Sequence, residues 1–363
     1  MKQGWEIKKL EAVTKRIFAG GDKPKNFSET ITDTLKIPVY ANGVCDNGLC
    51  GYTDTSIVTD NCITVSARGT IGFCCIRKEP FVPIVRLIVI IPNDNIVVKY
   101  LYYAIKHSKI DNSGTSIPQL TVPMIRNISI PVPPLAEQKR IVEILDREFE
   151  RIDTLKANAE QNLQHAKDLF QAALKQELQP KEGWETKTIS EISENLDYKR
   201  VPVTKKDRKE GVYPYYGASG IVDYVDGYLF DEDLLLVSED GANLLARSTP
   251  IAFSVSGKIW VNNHAHILRF ANIELQKFVE YFFANYDISK YVTGAAQPKF
   301  NQKALNNIVV SYPTDIVKQR KVVSCLDKLK EHCTALEENY KKTIALCDDM
   351  KQALLRKAFN GEL

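Results

Sequence analysis

The chain of 363 residues is 44% hydrophobic and 26% charged, with a formal net charge of only +3. Its length suits two domains of roughly 100 to 200 residues; no run reaches the roughly 18 apolar residues of a membrane span, and the opening MKQGWEIKKLEAV lacks a signal peptide's apolar stretch, so a cytoplasmic protein is expected. The basic excess is small for a free-standing nucleic-acid binder, so charge alone points to no DNA role.

Along the chain, a first region holds the strand-like runs NCITVSARGTIGFCCI and VRLIVII, rich in Val, Ile and Thr and broken by Gly, then a short helical stretch, NIVVKYLYYAIKH. Pro131, Pro133 and Pro134 mark the start of a long helix, and Pro180 with Gly183 mark its end. Between them Ile141, Leu145, Phe149, Ile152, Leu155, Ala159, Leu163, Ala166, Phe170 and Leu174 recur three or four apart as one apolar stripe. A second strand-rich region follows, with DLLLVSEDGA and PIAFSVSGKIWV and the helical NIELQKFVEYFFANY. A second long helix then carries Val322, Leu326, Leu329, Cys333, Leu336, Tyr340, Ile344, Cys347 and Leu354. Some 40 residues at about 1.5 Å each make a rod roughly 60 Å long.

The second half repeats the first. GWEIKKL at residues 4–10 recurs as GWETKTI at 183–189, GTSIPQL at 114–120 as GAAQPKF at 294–300, EQKRIVEILD ending at Asp146 as KQRKVVSCLD ending at Asp327, and DLFQAALKQ from Asp168 as DMKQALLRK from Asp349. Landmarks kept in order at nearly constant spacing mean a duplicated unit. The expected fold is therefore α+β: a mixed domain over 1–135, a helix over 136–180, a second mixed domain over 181–315 and a second helix over 316–363. A long single-stripe helix must bury its stripe on another element, and the topology favours an antiparallel pair of these two helices with a pseudo-twofold relation. Pairing of each with another chain is the alternative.

The eight cysteines, at 45, 50, 62, 74, 75, 325, 333 and 347, include no C-x-x-C pair and no histidine spaced to complete a zinc site. Reduced core thiols are expected, and no metal. His264 and His266 alternate on an expected strand, so both should face one side in a structural role. No phosphate loop, methyltransferase signature or nuclease motif is present, so the chain is read as no enzyme.

IPVPPLAEQKRIVEILD, GVYPYYGASGIVDYVDGYLFDEDLLLVSEDGA, GAAQPKFNQKALNNI and the terminal LLRKAFNGEL together resemble the specificity subunit of type I restriction-modification systems, over nearly the whole chain. The resemblance implies two target recognition domains that each read one half of a bipartite, asymmetric site in double-stranded DNA. It implies helices that set the spacer between the halves, two adenine-N6 methyltransferase subunits and restriction subunits as partners, and S-adenosylmethionine, ATP and Mg on those partners, with no cofactor in this chain. The second helix entry, YPTDIVKQRKVV, departs from the PPLAEQ form, which puts contacts there in doubt. Pro133, Pro134, Gln138 and Arg140 are landmarks that also have a plain role in starting the helix.

Candidate DNA contacts follow. In the second domain the loop before the turn at Tyr213, Tyr215 and Tyr216 holds Lys199, Arg200, Lys205, Lys206, Arg208 and Lys209. Arg and Lys neutralise phosphate, and Arg grips guanine through two hydrogen bonds; a solvated surface is the plainer reading, and the resemblance favours DNA. In the first domain Gly20 and Gly21 would let backbone approach phosphate, with Lys23 and Lys25 adding charge, although most such glycine pairs are turns. Arg68 falls opposite the Glu239 and Asp240 region of the other copy, a charge swap that suits two domains reading different bases, or packing variation. Lys299 is a further candidate. Ile141, Leu145, Ile152, Leu163, Phe170, Leu326, Leu336, Ile344 and Leu354 are the expected spacer and partner-helix positions. A coiled-coil adaptor without DNA binding is the competing function; it explains the helices and leaves two diverged domains without a purpose.

Overall fold

The computed structural model describes residues 4–108, 119–294 and 296–363. It divides into two compact units, Met1–Ala159 with Lys342–Leu363, and Glu160–Lys341. The repeated segment at 114–120 lies, apart from Gln119 and Leu120, outside the described residues.

The first unit runs through β1 (Glu6–Lys9), β2 (Thr14–Ala19), β3 (Ile37–Tyr40), β4 (Leu49–Thr53), β5 (Cys62–Val65), β6 (Cys74–Arg77), β7 (Val82–Pro83), β8 (Ile88–Pro92), α1 (Val98–His107), α2 (Val122–Arg126) and β9 (Ser129–Val132), then enters α3 (Leu135–Glu177). The second unit, reached along α3, holds β10 (Trp184–Thr188), α4 (Ile189–Ile192), β11 (Ser193–Asn195), β12 (Glu210–Gly217), β13 (Gly220–Val225), β14 (Phe230–Asp231), β15 (Leu234–Ser238), α5 (Asn243–Ala246), β16 (Ala252–Val255), β17 (Lys258–Val261), β18 (Ala265–Phe270), α6 (Ile273–Asn285), α7 (Gln302–Asn306) and β19 (Val309–Pro313). The last helix, α8 (Ile316–Asn360), begins in the second unit and ends in the first.

The same sheets recur. Order β2-β8-β5-β6 in the first unit is order β11-β18-β15-β16 in the second, β4-β3-β7 matches β13-β12-β17, and the hairpin-like pair β1-β9 matches β10-β19. Pairings are antiparallel except β3 with β7 and β12 with β17. The central strands β8 and β15 are buried along their whole length, which is why their sequences read as continuous aliphatic runs without alternation. VRLIVII is strand only from Ile88: Val85 and Arg86 form a turn with φ of 51° and 62°.

Ladder register fixes counterparts between the units. Val65 pairs with Cys74 and Ile88, and Val237 with Ala252 and His266. Hence Ala67 corresponds to Glu239, Arg68 to Asp240 and Ile88 to His266. Tyr40 pairs with Pro83 and Tyr216 with Val261, so Arg86 corresponds to His264.

Within each unit, one half of α3 runs antiparallel to one half of α8. In the first, Arg140 donates to the Leu363 carbonyl (2.6 Å), Lys156 pairs with Asp348 (2.8 Å) and Lys351 pairs with Asp153. Leu355, Ala358 and Phe359 join the same core as Ile141 and Leu145. In the second unit Leu174 shares a core with Val323 and Leu326. Ile141, Leu145, Ile152 and Leu326 are buried, and Leu163, Phe170, Ile344 and Leu354 are half-buried. Leu155 and Leu336, expected on the buried stripe, are 46% and 40% exposed. A helix of 3.6 residues per turn drifts against a strict three-and-four count, and the apolar positions α8 buries most deeply are Leu326, Cys333, Cys347, Leu355 and Ala358.

Candidate nucleic-acid interface

In both units three segments meet where the central strand ends. In the first, the Ala67 carbonyl accepts from the Leu120 N–H (2.9 Å), and the Asn42 side chain joins two backbones, accepting from the Ala67 N–H and donating to the Val85 carbonyl (both 2.8 Å). Gly20 and Gly21 lie in the same frame. Gly20 exchanges hydrogen bonds with Leu87 and Arg86, and the Gly21 carbonyl accepts from Val85 (2.9 Å). A Cβ on Gly20 would sit 2.6 Å from the Pro83 backbone, so this glycine is needed for close packing against the 83–86 turn. These glycines therefore brace a turn, and their carbonyls are spent on it.

Around this frame Arg68 is exposed and donates to Gln119 Oε1 (3.0 Å). Arg86 and Lys25 are exposed, and Lys23 lies over the Phe27 ring at 3.5 Å. Val85, a β-branched residue in the left-handed region, is held there by the Gly21 and Asn42 bonds, at a cost of about 1–3 kcal/mol.

The second unit builds the frame from charge. The Phe300 N–H donates to the Glu239 carbonyl (2.7 Å), the Glu239 N–H donates to the His264 carbonyl (2.9 Å), and Asp240 bridges to Lys299 through backbone. Below lies a closed network: His266 Nδ1 lies 2.6 Å from Asp197 Oδ2, His266 Nε2 lies 2.8 Å from the Phe300 carbonyl, and Arg200 pairs with Glu239 (2.6 Å) and Asp197 (3.5 Å). Burial works to raise the Asp197 carboxyl; hydrogen bonding and charge from His266, the Ile267 N–H and Arg200 outweigh it and hold the group below its ordinary range. Asp197, Glu239 and His266 lie close enough to hold a metal ion, but Arg200 occupies the cationic place among them and both ring nitrogens of His266 are engaged.

Several expected contacts change meaning here. Arg200, only 16% exposed, is engaged by Glu239, Asp197 and the Ala265 carbonyl. Arg208 is likewise held by Asp223 (3.1 Å), the Val203 carbonyl and the face of Tyr215. Arg200 sits among carboxylates almost sealed from water, where a fixed partner is worth more than hydration, whereas Asp223, the partner of Arg208, is 38% exposed. Lys199, Lys205, Lys206 and Lys209 are exposed. Lys299 is 55% exposed with its ammonium 3.3 Å from Glu239. His264 and His266 do not share a side: His266 is buried in β18, while His264 precedes the strand, half exposed, with Nδ1 2.8 Å from Asp240. Tyr215 is buried, its hydroxyl bonded to Val203.

Sequence reading missed Asn42, Arg86, Gln119 and Asp197; it placed Asp240 in the region opposite Arg68 and gave His264 a structural role. Asp197 sits in a polar run with no apolar partner pattern, and the others depend on contacts across more than 20 residues. The available signal was the repeat itself, aligned residue by residue.

The helix entries also recur. Gln138, buried, donates to the Pro133 and Asn95 carbonyls (3.0 and 3.2 Å) and accepts from the Val97 N–H (2.9 Å) at the start of α1. Its counterpart Gln319 donates to Pro313 (2.7 Å), so the changed entry sequence keeps this contact. Asp146 accepts from Tyr103 and Lys99, and Asp327 accepts from Tyr281 and Lys277; burial first, then the carboxylate, drives both tyrosine hydroxyls upward.

No helix among the described residues is long and apolar enough to cross a membrane. A Mycoplasma pneumoniae protein named as a type I specificity subunit, S.MpnORF507P, is 34% identical over 146 residues, 40% of each chain. The chain thus spans about two fifths of the length of the first curated relatives it matches. The EcoKI specificity subunit of Escherichia coli K12 is 23% identical, covering 100% of this chain and 90% of its own. Among solved structures, one from work on complex assembly and conformational transition of the type I R-M system superposes with a TM-score of 0.78 at 17% identity, over 100% and 99% of the two chains. The HsdS subunit from Thermoanaerobacter tengcongensis gives 0.58, also at 17%, over 100% and 98%; both likenesses are of fold. The family model of the type I restriction modification DNA specificity domain matches twice, over residues 2–165 and 181–346, and the chain belongs to that family.

Proposed function

We propose that this chain is the DNA-specificity subunit of a type I restriction-modification complex, each unit reading one half of a bipartite asymmetric target. The observation that carries the reading is that the specificity-domain model matches each of the two repeats, which share one backbone frame and differ in the side chains on it. In this reading α3 and α8 set the spacer and dock two adenine-N6 methyltransferase subunits, and restriction subunits join that assembly. S-adenosylmethionine, ATP and Mg belong to those partners, and this chain supplies no catalytic group. Lys25, Lys199, Lys205, Lys206 and Lys209 would meet phosphates, with Lys23 beside them, while Arg200 and Arg208 brace the loop that carries the second set. With a net charge of +3, the chain alone binds DNA weakly and its partners close around the duplex.

The test is single-molecule sequencing of methylated adenine in the source cell before and after deletion of the gene. Loss of methylation from one split, asymmetric motif is expected. Methylation unchanged by the deletion, together with no salt-dependent binding of duplex DNA by the chain mixed with its methyltransferase partner, would favour the coiled-coil adaptor.

A further inference from the structure

The two frames place three residues at equivalent positions, and no position keeps its chemistry. The first unit presents Arg68, Arg86 and Gln119; the second presents Asp240, His264 and Lys299. Each set is stitched by backbone bonds of the same kind, from Leu120 to Ala67 and from Phe300 to Glu239. Each set is also internally paired: Arg68 with Gln119 at 3.0 Å, Asp240 with His264 at 2.8 Å. The neighbouring position is turned inward in both, as buried Ala67 and as Glu239 held by Arg200. The backbone frame is kept while the side chains on it differ, with Arg68, Arg86 and Lys299 exposed, His264 half exposed, and Gln119 and Asp240 half-buried at its edge, the pattern expected where one scaffold carries two different recognition loops.

We infer that these trios are the base-reading elements of the two units, an inference that rests on the specificity reading above. The chemistry then differs by half-site. Arg68 donates twice to guanine O6 and N7, oriented by Gln119, and the strained turn holds Arg86 alongside. Asp240 can only accept, so it takes the N4 amine of cytosine, oriented by His264, with the Lys299 ammonium placed for an acceptor beside it. The half-site read by the first unit contains a guanine at the Arg68 position, and that read by the second contains a cytosine at the Asp240 position.

The experiment expresses the full chain with its methyltransferase subunits in a host lacking adenine methylation and maps methylated motifs for the native chain, Arg68→Ala and Asp240→Asn. Arg68→Lys and Gln119→Ala serve as second variants, with melting temperatures recorded for all. Arg68→Ala is expected to relax one guanine in one half-site and Asp240→Asn one cytosine in the other, each losing roughly tenfold to a hundredfold discrimination there. A variant that stays folded and keeps the native motif, or relaxes both halves together, overturns the inference while leaving the specificity role standing. A native complex that methylates no split motif overturns that role, and the inference with it.

Discussion

The two units solve the same packing problem with opposite materials. Beneath the end of β15 lie Asp197, Glu239, His266 and Arg200, an ionic network almost sealed from water; at the end of β5 the positions of Asp197, Glu239 and His266 are taken by exposed Ala19 and by buried Ala67 and Ile88, and the polar work falls to the side chains of Asn42 and Ser66. The helix entries differ in the same spirit. α1 has no side-chain cap of its own, so Gln138 from α3 accepts the Val97 N–H. α6 is capped by Asn272, which takes the Leu275 N–H at 2.8 Å, and the Oε1 of Gln319 is left buried without a partner. A frame can thus be kept while the groups that satisfy it are exchanged, because the backbone needs a donor or acceptor at a place and not a particular residue.

The sharpest break should come from Arg200→Ala. It strips Asp197 and Glu239 of their most buried cation, leaving Glu239 only the Lys299 ammonium at 3.3 Å, so unit two should lose about 3 kcal/mol, read as faster hydrogen exchange over residues 160–341. Replacing Asp197, Glu239 and His266 by the first unit's residues together with Arg200→Ala (D197A, E239A, H266I, R200A) should cost less than Arg200→Ala alone, since buried ion networks replaced whole often give way to apolar packing at little loss. A quadruple variant that is the less stable of the two would refute the equivalence.

Next comes the capping exchange. Gln138→Ala strands the Pro133 carbonyl in a buried site and frees the part-buried Val97 N–H and Asn95 carbonyl, for about 2 kcal/mol. Asn272→Ala should cost under about 1 kcal/mol, below an ordinary cap loss, because Gln319 stands ready to accept the released N–H. Equal losses in urea denaturation would mean that Gln319 does not substitute.

The strained turn predicts a gain. Val85→Asn with Arg86→Gly installs the residues that positive φ favours and should raise the stability of unit one by about 1 kcal/mol in urea denaturation. If Arg86 serves DNA, the same variant weakens binding of the assembled complex to its target; a gain in both would make the strain incidental.

The smallest effect is acid sensitivity. Asp197 is held below its ordinary range in the fold, so its contribution is present above about pH 4 and fades as pH falls through the lowered value. Unit two should therefore loosen in acid along a slope that shrinks in Asp197→Asn, measured by hydrogen exchange from pH 6 down to pH 3.

The amino-acid sequence by itself determined the duplication, the α+β character and the two long helices, since each of these lives in local periodicity, prolines and repeated landmarks. It also carried the family, through motifs spread over most of the chain. It could not tell that Arg200 and Arg208 are braces while Lys205 and Lys206 face solvent, because adjacent basic residues in a loop look alike until burial separates them. Nor could it show that the glycine pair braces a turn, or that His264 and His266 part company at the start of β18. Those distinctions rest on ladder register and on contacts between residues far apart in sequence. Only the tertiary structure decided which charge is paired and sealed from water and which is left at the surface, because that depends on which groups the fold brings within a few ångströms of one another.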